Sequence, residues 1–142
     1  MILSNQRPYE ASFVNTAATS GKKTDPERSL QLALAAARTA EENKGTDILV
    51  LDMRSLTCMF DFFVIVSGTS RRQLHAMSEE IDHKLEDDLN DKRMGIEGYN
   101  ESNWILLDYG TVVIHLFAED TRDFYSIEKL WAEAPHVAWE RP

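Results

Sequence analysis

The chain has 142 residues, of which 43% are hydrophobic and 27% charged, and its net charge is −9. These totals are typical of one soluble globular domain that is long enough to bury a core. No apolar run approaches the roughly 20 residues that a membrane-spanning helix needs. The one cysteine, Cys58, excludes an intramolecular disulfide and is typical of a reducing compartment, so we expect a cytoplasmic protein.

The charge is distributed unevenly along the chain. Residues 1–24 hold three basic residues and one acidic residue, a net charge of +2. The whole chain has a net charge of −9, so residues 25–142 carry −11. An acidic body repels phosphate backbones, which argues against direct binding to nucleic acid. The same electric field attracts and orients a basic protein partner.

Residues 1–24 are rich in Ser, Thr, Asn and Ala and have no clear period, so we expect a flexible N-terminal arm. The arm lacks the basic stretch and apolar core of a secretory signal. Its low acid content resembles an organellar transit peptide, whereas its single arginine and missing amphipathic pattern do not. Import into an organelle therefore stays open beside the cytoplasmic expectation.

Two long helices are predicted in the first two thirds of the chain. Asp25 is a suitable N-cap with Pro26 at the first helical position, and this helix extends to about Asn43. Ser70 and Gln73 form a capping box that begins a second helix, which extends to about Leu89. The predicted inner stripes are Leu30, Ala33, Leu34 and Ala37 in the first helix, and Leu74, Met77, Ile81, Leu85 and Leu89 in the second.

Strand patterns occupy four further places. The runs DILVLD (47–52) and FDFFVIVS (60–67) are continuously apolar and predict strands buried on both faces, and 95–98 predicts a short edge strand. Two β-rich runs, 104–108 and 111–117, flank Tyr109-Gly110 and predict a hairpin. Alternating strands, glycine loops and helices indicate an α/β fold, with a mixed sheet flanked by helices.

A two-residue loop at Tyr109-Gly110 would pair residue 108 with 111 and 104 with 115. This register places the aliphatic side chains Ile105, Leu107, Val112, Ile114 and Leu116 on one face, which must be core. The other face mixes large apolar and polar groups, among them Trp104, Leu106, His115 and Phe117. Such a mixed face is neither an ordinary core nor an ordinary solvated surface.

The last predicted helix follows the hairpin and runs to Trp131. Its arc predicts that Phe124, Ile127, Leu130 and Trp131 pack inward, and that Arg122, Tyr125 and Lys129 point outward. Trp, Tyr and Arg dominate the energetics of protein interfaces, so the mixed face with Arg122 and Tyr125 is a candidate binding surface. The alternative is that the last helix simply covers this face.

Evidence for enzyme chemistry in the sequence is weak. The loop Gly68–Ser70 joins a strand to a helix, where backbone N–H groups can hold an anion, but it lacks the glycines and the lysine of phosphate-binding loops. The four histidines and Cys58 have no spacing that favours a metal site. We therefore expect neither a metal nor a cofactor.

The sequence also resembles the ribosomal silencing factor family, the Iojap-like proteins, over residues 27–131. The resemblance rests on four blocks in order: DILVLD, FDFFVIVSGTSRRQ, GIEGYNESNWILLDYGTVVIHLF and RDFYSIEKLW. It implies a nucleotidyltransferase-like topology without enzyme activity. It also implies a factor that binds the basic ribosomal protein uL14 on the large ribosomal subunit, blocks joining of the small subunit and lowers translation when nutrients are scarce.

The resemblance places Trp104 and Tyr125 at contact positions for uL14. Leu106, His115, Phe117 and Arg122 are added because they share the same predicted face. The domain would then cover residues 25–131, followed by an irregular tail at 132–142. Two alternatives remain: a nucleotidyltransferase-like enzyme that holds phosphates at Gly68–Ser70 and Mg²⁺ at a carboxylate pair, and a module that forms a homodimer through the mixed face.

Overall fold

The computed structural model describes residues 25–100 and 103–141, and the predicted N-terminal arm lies outside them. Within the described residues the chain forms five strands and four helices. They are α1 (Pro26–Glu42), β1 (Thr46–Asp52), β2 (Phe62–Gly68), α2 (Arg71–His83), β3 (Gly95–Glu97), β4 (Trp104–Asp108), β5 (Val112–Ala118), α3 (Glu119–Tyr125) and α4 (Ile127–Leu130). A π-helical turn, Lys84–Asp88, continues α2.

All five strands belong to one sheet, in the order β1-β2-β5-β4-β3. The central pair, β2 and β5, is parallel, and the other pairs are antiparallel. Every residue of β2 is buried, as a strand covered on both faces must be. The predicted α/β fold with a mixed, helix-flanked sheet is confirmed, including the short edge strand.

Each face of the sheet has its own apolar core. The first core joins the sheet to the inner faces of α1 and α2 and includes Val64, Leu74, Met77, Leu107 and Ile114. The second core lies on the opposite face and includes Leu51, Phe63, Leu106, Phe117 and Ile127. The mixed face of the hairpin is therefore largely the floor of this second core.

The hairpin between β4 and β5 turns one residue later than predicted, and each pairing partner is therefore shifted by two residues. Trp104 pairs with Phe117 and Asp108 with Val113, and the N–H of Tyr109 donates to the Val112 carbonyl at 3.0 Å. The turn is Gly110-Thr111, because Gly110 adopts a φ of 92° and donates its N–H to the Asp108 carboxylate at 2.7 Å. A shift of two residues preserves the faces, so the predicted faces are confirmed although the pairing was wrong.

The predicted caps of the two long helices are present. The Asp25 carboxylate accepts from the N–H groups of Glu27 and Arg28, and the Ser70 hydroxyl accepts from the N–H of Gln73 at 3.1 Å. The buried stripe of α2 is confirmed from Leu74 to Leu85. Its final member, Leu89, is only partly buried.

The predicted stripe of α1 was partly wrong. The buried apolar side chains of this helix are Leu32, Ala33, Ala36, Ala37 and Ala40, whereas Leu30 and Leu34 are only partly buried. The helix turns its alanines to the sheet because small side chains let the two backbones approach closely. The bulkier leucines at 30 and 34 lie at the margins of the contact.

The predicted last helix is broken. Ser126 has a φ of 47° and separates α3 from α4, so a single helical arc does not describe the segment. Phe124 is 81% exposed and Leu130 43% exposed, although both were predicted to pack inward. Arg122, predicted to point outward, is buried. Ile127 is buried as predicted.

Residues 132–141 have no helix and run along the outer edge of β1. The N–H of Asp52 donates to the Pro135 carbonyl and the N–H of Val137 to the Val50 carbonyl, both at 2.8 Å. The Trp139 indole donates to the Ile48 carbonyl at 3.2 Å. The tail thus satisfies backbone groups that an open sheet edge would leave unpaired.

We predict that Val137→Pro destabilises the domain by about 1–2 kcal/mol more than Val137→Ala does. Both variants lose the Val137 side chain, but only proline also removes the N–H that bonds to Val50. Urea denaturation of the two variants measures the difference. Equal stabilities would show that this edge hydrogen bond contributes nothing.

Candidate protein-binding face

Four aromatic rings meet where β4 begins and α3 ends. The Trp104 ring stacks on Phe117 with centroids 4.7 Å apart, and it also lies 4.7 Å from Tyr125 and 5.9 Å from His115. Trp104 and Tyr125 are partly exposed, whereas Phe117 and His115 are fully buried beneath them. The sheet and α3 together therefore present an indole and a phenol at the surface.

His115 anchors this cluster from below. The Trp104 indole N–H donates to His115 Nδ1 at 3.2 Å, and the Phe63 ring packs against the imidazole with centroids 4.8 Å apart. Burial lowers the pKa of His115 to about 3, because the charged imidazolium would be stripped of water. The imidazole is therefore neutral near pH 7. Since Nδ1 accepts a hydrogen bond from Trp104, the imidazole carries its one N–H proton on Nε2.

Arg122 fixes the position of α3 and is only 6% exposed. Its Nη1 donates to the Ser67 hydroxyl at 2.8 Å and to the Asp47 carbonyl at 2.5 Å, at the edge of the sheet. Its Nε donates to the Glu128 carboxylate at 3.1 Å, across the break at Ser126. One guanidinium thus joins α3, α4 and two strands, and in doing so sets where Tyr125 lies, one turn further along α3.

The structure brings all six predicted site residues into one region but exposes only two of them. Leu106, His115, Phe117 and Arg122 are buried, so in this conformation they support the surface from below. Trp104 and Tyr125 reach it. The alternative that the last helical segment covers the mixed face holds for most of that face, because Ile127 and Trp131 pack over it.

Phe124 was missed as a surface residue. It precedes Tyr125 and lies edge-on to it, with ring centroids 5.1 Å apart and an interplanar angle of 88°. Its exposure depends on the left-handed Ser126, which ends α3 after Tyr125. No helical wheel drawn through an unbroken helix could have found it.

A cavity of about 600 Å³ lies beside Arg122 at the carboxyl ends of β2 and β5. Its charged lining consists of Asp47, Glu119, Asp123 and Glu128, with Arg122 as the single cation. This is the place where open α/β sheets commonly bind ligands. Four carboxylates around one arginine that is already paired make the cavity unsuited to a phosphate.

The loop Gly68–Ser70 is closed by its own side chains. The Thr69 N–H donates to Gln73 Oε1 at 2.6 Å, and the Gln73 N–H donates to the Ser70 hydroxyl. A Cβ on Gly68 would lie 2.7 Å from Leu74 Cδ2, so close helix packing accounts for the glycine. The loop therefore offers little support for a phosphate-binding enzyme.

Residues 25–100 and 103–141 contain neither a metal-binding cluster nor a membrane-spanning helix. No three His, Cys, Asp or Glu side chains of these residues are grouped so that they could hold a metal ion. No helix of the described chain is long and apolar enough to cross a membrane.

Comparison with known proteins decides the family. A family model described as "Ribosomal silencing factor during starvation" matches residues 26–142. The chain belongs to the ribosomal silencing factor family. Members of this family are non-enzymatic factors that regulate translation. The match extends beyond Trp131 and includes the tail that covers β1.

Relatives share both the sequence and the fold of this ribosomal silencing factor. The RsfS protein of Bacillus subtilis is 41% identical over 101 residues, which cover 70% of this chain and 84% of the relative. RsfS of Halalkalibacterium halodurans is 36% identical over 111 residues, covering 78% and 92%. A crystal structure from Chromobacterium violaceum superposes with a TM-score of 0.68 at 31% identity and covers 84% of this chain and 91% of that one.

We predict that His115 makes the silencing factor less stable in acid. Above pH 6.5 His115 is neutral in both the folded and the unfolded state, so its protonation does not change the stability. Below that pH the unfolded chain binds a proton, whereas the folded state does not bind it until about pH 3. The free energy of unfolding therefore falls by about 1.4 kcal/mol per pH unit. Urea denaturation at pH 7, 6 and 5 measures the slope.

The comparison is with His115→Gln, which cannot titrate, and with His136→Gln, which removes an exposed histidine of the tail. His115→Gln should flatten the loss of stability between pH 6 and 5, and His136→Gln should not. Equal slopes for wild type and His115→Gln would contradict a buried, neutral His115.

We predict that Arg122→Met destabilises the domain by about 2–4 kcal/mol. The substitution leaves the Glu128 carboxylate and the Asp47 carbonyl without their buried donor. Because Tyr125 loses its support, Trp104 fluorescence in the native state should also shift to longer wavelength. Arg72→Met, at an exposed arginine of α2, is the control and should change neither quantity. If Arg122→Met were as stable as the wild type, Arg122 would not be the residue that holds α3 in place.

Proposed function

We propose that this silencing factor binds ribosomal protein uL14 on the large ribosomal subunit and blocks joining of the small subunit. Translation is then repressed when nutrients are scarce. The observation that carries the proposal is the partly exposed pair of Trp104 and Tyr125 on an acidic member of the ribosomal silencing factor family. The family name gives the outcome, silencing, and the aromatic pair gives a surface through which binding can occur.

The charge of the chain supports a protein partner over ribosomal RNA. A net charge of −9 is repelled by RNA phosphates and attracted by a basic ribosomal protein. Trp and Tyr supply large, rigid contact area, which makes them frequent hot spots in interfaces. Both features favour docking on uL14.

The six proposed site residues divide into two groups. Trp104 and Tyr125 make the contact with uL14. Leu106, His115, Phe117 and Arg122 hold those two side chains in place from below. Leu106 and Phe117 belong to the second core, against which Trp104 and Tyr125 pack. His115 accepts the hydrogen bond of the Trp104 indole, and Arg122 fixes the helix that carries Tyr125. A preorganised aromatic pair loses little conformational entropy on binding, which favours affinity.

The mechanism is steric exclusion. A 16.2 kDa body bound at the subunit-joining surface prevents joining by occupancy alone, without a reaction or a cofactor. We propose that it acts in the cytoplasm. We also propose that the domain at 25–131 carries the activity and that 132–142 is an irregular tail, of which the described residues 132–141 close the edge of β1. The nucleotidyltransferase-like topology implied by the resemblance also stays a proposal, and the acidic cavity beside Arg122 argues against nucleotide chemistry within it.

Sedimentation with separated ribosomal subunits tests the proposal. The purified protein is mixed with large subunits, small subunits are added, and the mixture is run on a sucrose gradient. We expect co-sedimentation with the large subunit and fewer joined ribosomes. If the protein stays at the top of the gradient and joining is unaffected, the proposed function is wrong.

We predict that Trp104→Ala weakens binding to purified uL14 by about 2 kcal/mol or more, roughly 30-fold in Kd. Trp104 stacks on Phe117 and Tyr125, so truncating it removes contact area and loosens its neighbours. Trp139→Ala is the matched control, since this tryptophan lies on the tail beside β1. Fluorescence anisotropy of labelled uL14 measures both affinities. Equal affinities of Trp104→Ala and wild type would exclude Trp104 from the site.

A further inference from the structure

An exposed aromatic ring lies on the outer face of α3 and packs into neither core of the fold. Phe124 is 81% exposed, the highest exposure of any large hydrophobic side chain in the described part of the chain. Its one close aromatic neighbour among those residues is Tyr125. Phenylalanine normally packs in a core, and exposed aromatic side chains that adjoin other apolar groups mark interaction sites.

The ring of Phe124 extends the surface formed by Trp104 and Tyr125. The three rings form a continuous row. The ring centroids of Phe124 and Tyr125 are 5.1 Å apart, and those of Tyr125 and Trp104 are 4.7 Å apart. The row runs from the outer face of α3 to the first residue of β4. Arg122 holds the helix that carries two of these rings, so the backbone beneath them is positioned without a partner.

Three acidic side chains precede Phe124 on α3. Glu119, Asp120 and Asp123 are exposed on α3, and none of them forms an ion pair with another described residue. Each carboxylate is therefore accessible to a cation on a partner. Exposed carboxylates beside an apolar anchor are complementary to a basic protein surface with an apolar depression.

We propose that the outer face of α3, with Phe124 as its apolar anchor and Glu119, Asp120 and Asp123 beside it, is a second part of the docking surface and binds a basic protein segment. This inference rests on the proposed function, and it enlarges the contact surface beyond Trp104 and Tyr125. A second copy of the chain fits this face poorly, because pairing would bring the same carboxylates of two chains together, each with a net charge of −9.

The test compares four proteins for binding to purified uL14 at low and high salt: wild type, Phe124→Ala, Leu130→Ala and the double variant Glu119→Gln/Asp123→Asn. Leu130, on α4, is the matched control, since it is the other exposed large hydrophobic residue among 25–100 and 103–141. Phe124→Ala should weaken binding about 10-fold or more, and Leu130→Ala less than about 2-fold. The double variant should weaken binding at low salt and reduce the salt dependence of the affinity.

Folding is separated from binding by two measurements. Because Phe124 is exposed, Phe124→Ala should retain the wild-type melting temperature. Phe124→Tyr should restore most of the affinity, since it keeps a ring at the same place. Loss of affinity with an unchanged melting temperature and recovery in Phe124→Tyr would establish the anchor.

The outcomes distinguish this inference from the proposed function. If Trp104→Ala weakens binding and Phe124→Ala does not, the α3 face is not part of the interface, while binding to uL14 stands. If the wild-type protein fails to bind both uL14 and the large subunit, the proposed function is wrong and this inference falls with it. If light scattering shows a dimer that Phe124→Ala dissociates, with uL14 affinity unchanged, the face serves self-association and our assignment of its partner is overturned.

Discussion

The parallel pairing of β2 with β5 constrains the rest of the molecule. A parallel pair at the centre of a sheet has to be covered on both faces, since its strands carry apolar side chains in both directions. The crossover from β2 to β5 supplies α2 for one face, and α1 packs beside it. The other face is covered by α3, α4 and the chain that follows. Coverage of this second face therefore decides how much of the mixed hairpin surface can meet a partner.

The cover over the second face is thin and depends on Arg122. Two short helices separated by a left-handed residue have little stability of their own, because each provides few backbone hydrogen bonds. The arginine compensates by bonding to the Ser67 hydroxyl, the Asp47 carbonyl and Glu128. The same bonds orient Tyr125 against Trp104. Arg122 thus both stabilises the two short helices that cover the second face and helps to set the geometry of the aromatic row.

Much of this fold is predictable from periodicity, and the errors have physical causes. Alternation along 104–117 assigned each side chain to its correct face, because the period of two survives an even error in register. The register itself depended on a local preference, the carboxylate of Asp108 accepting from the N–H of Gly110, which periodicity does not report. In α1 the pattern located the helix but not its exact phase, since the small alanines allow several rotations against a sheet.

The candidate surface was harder to predict, and the break at Ser126 explains why. A helical wheel assumes one unbroken helix, and under that assumption Phe124 and Leu130 belong inside and Arg122 outside. The positive φ of Ser126 rotates everything beyond it, so Ile127 enters the core while Phe124 stays in solvent. Serine carries no strong signal for a left-handed conformation, in contrast to glycine or asparagine. The six residues chosen from the sequence therefore lie in one region of the structure, and four of them are buried beneath its surface.

The proposed docking surface, which consists of the row of rings and the carboxylates of α3, combines two kinds of interaction that act at different stages of binding. Carboxylates in water act over distances near the Debye length, so in the proposed complex Glu119, Asp120 and Asp123 would affect the rate and orientation of encounter with a basic partner. Aromatic rings act only in contact, so Trp104, Tyr125 and Phe124 would affect how long the proposed complex lasts. A factor that prevents subunit joining by occupancy needs both properties. It has to reach the large subunit before the small subunit does, and it has to remain bound while small subunits collide with it.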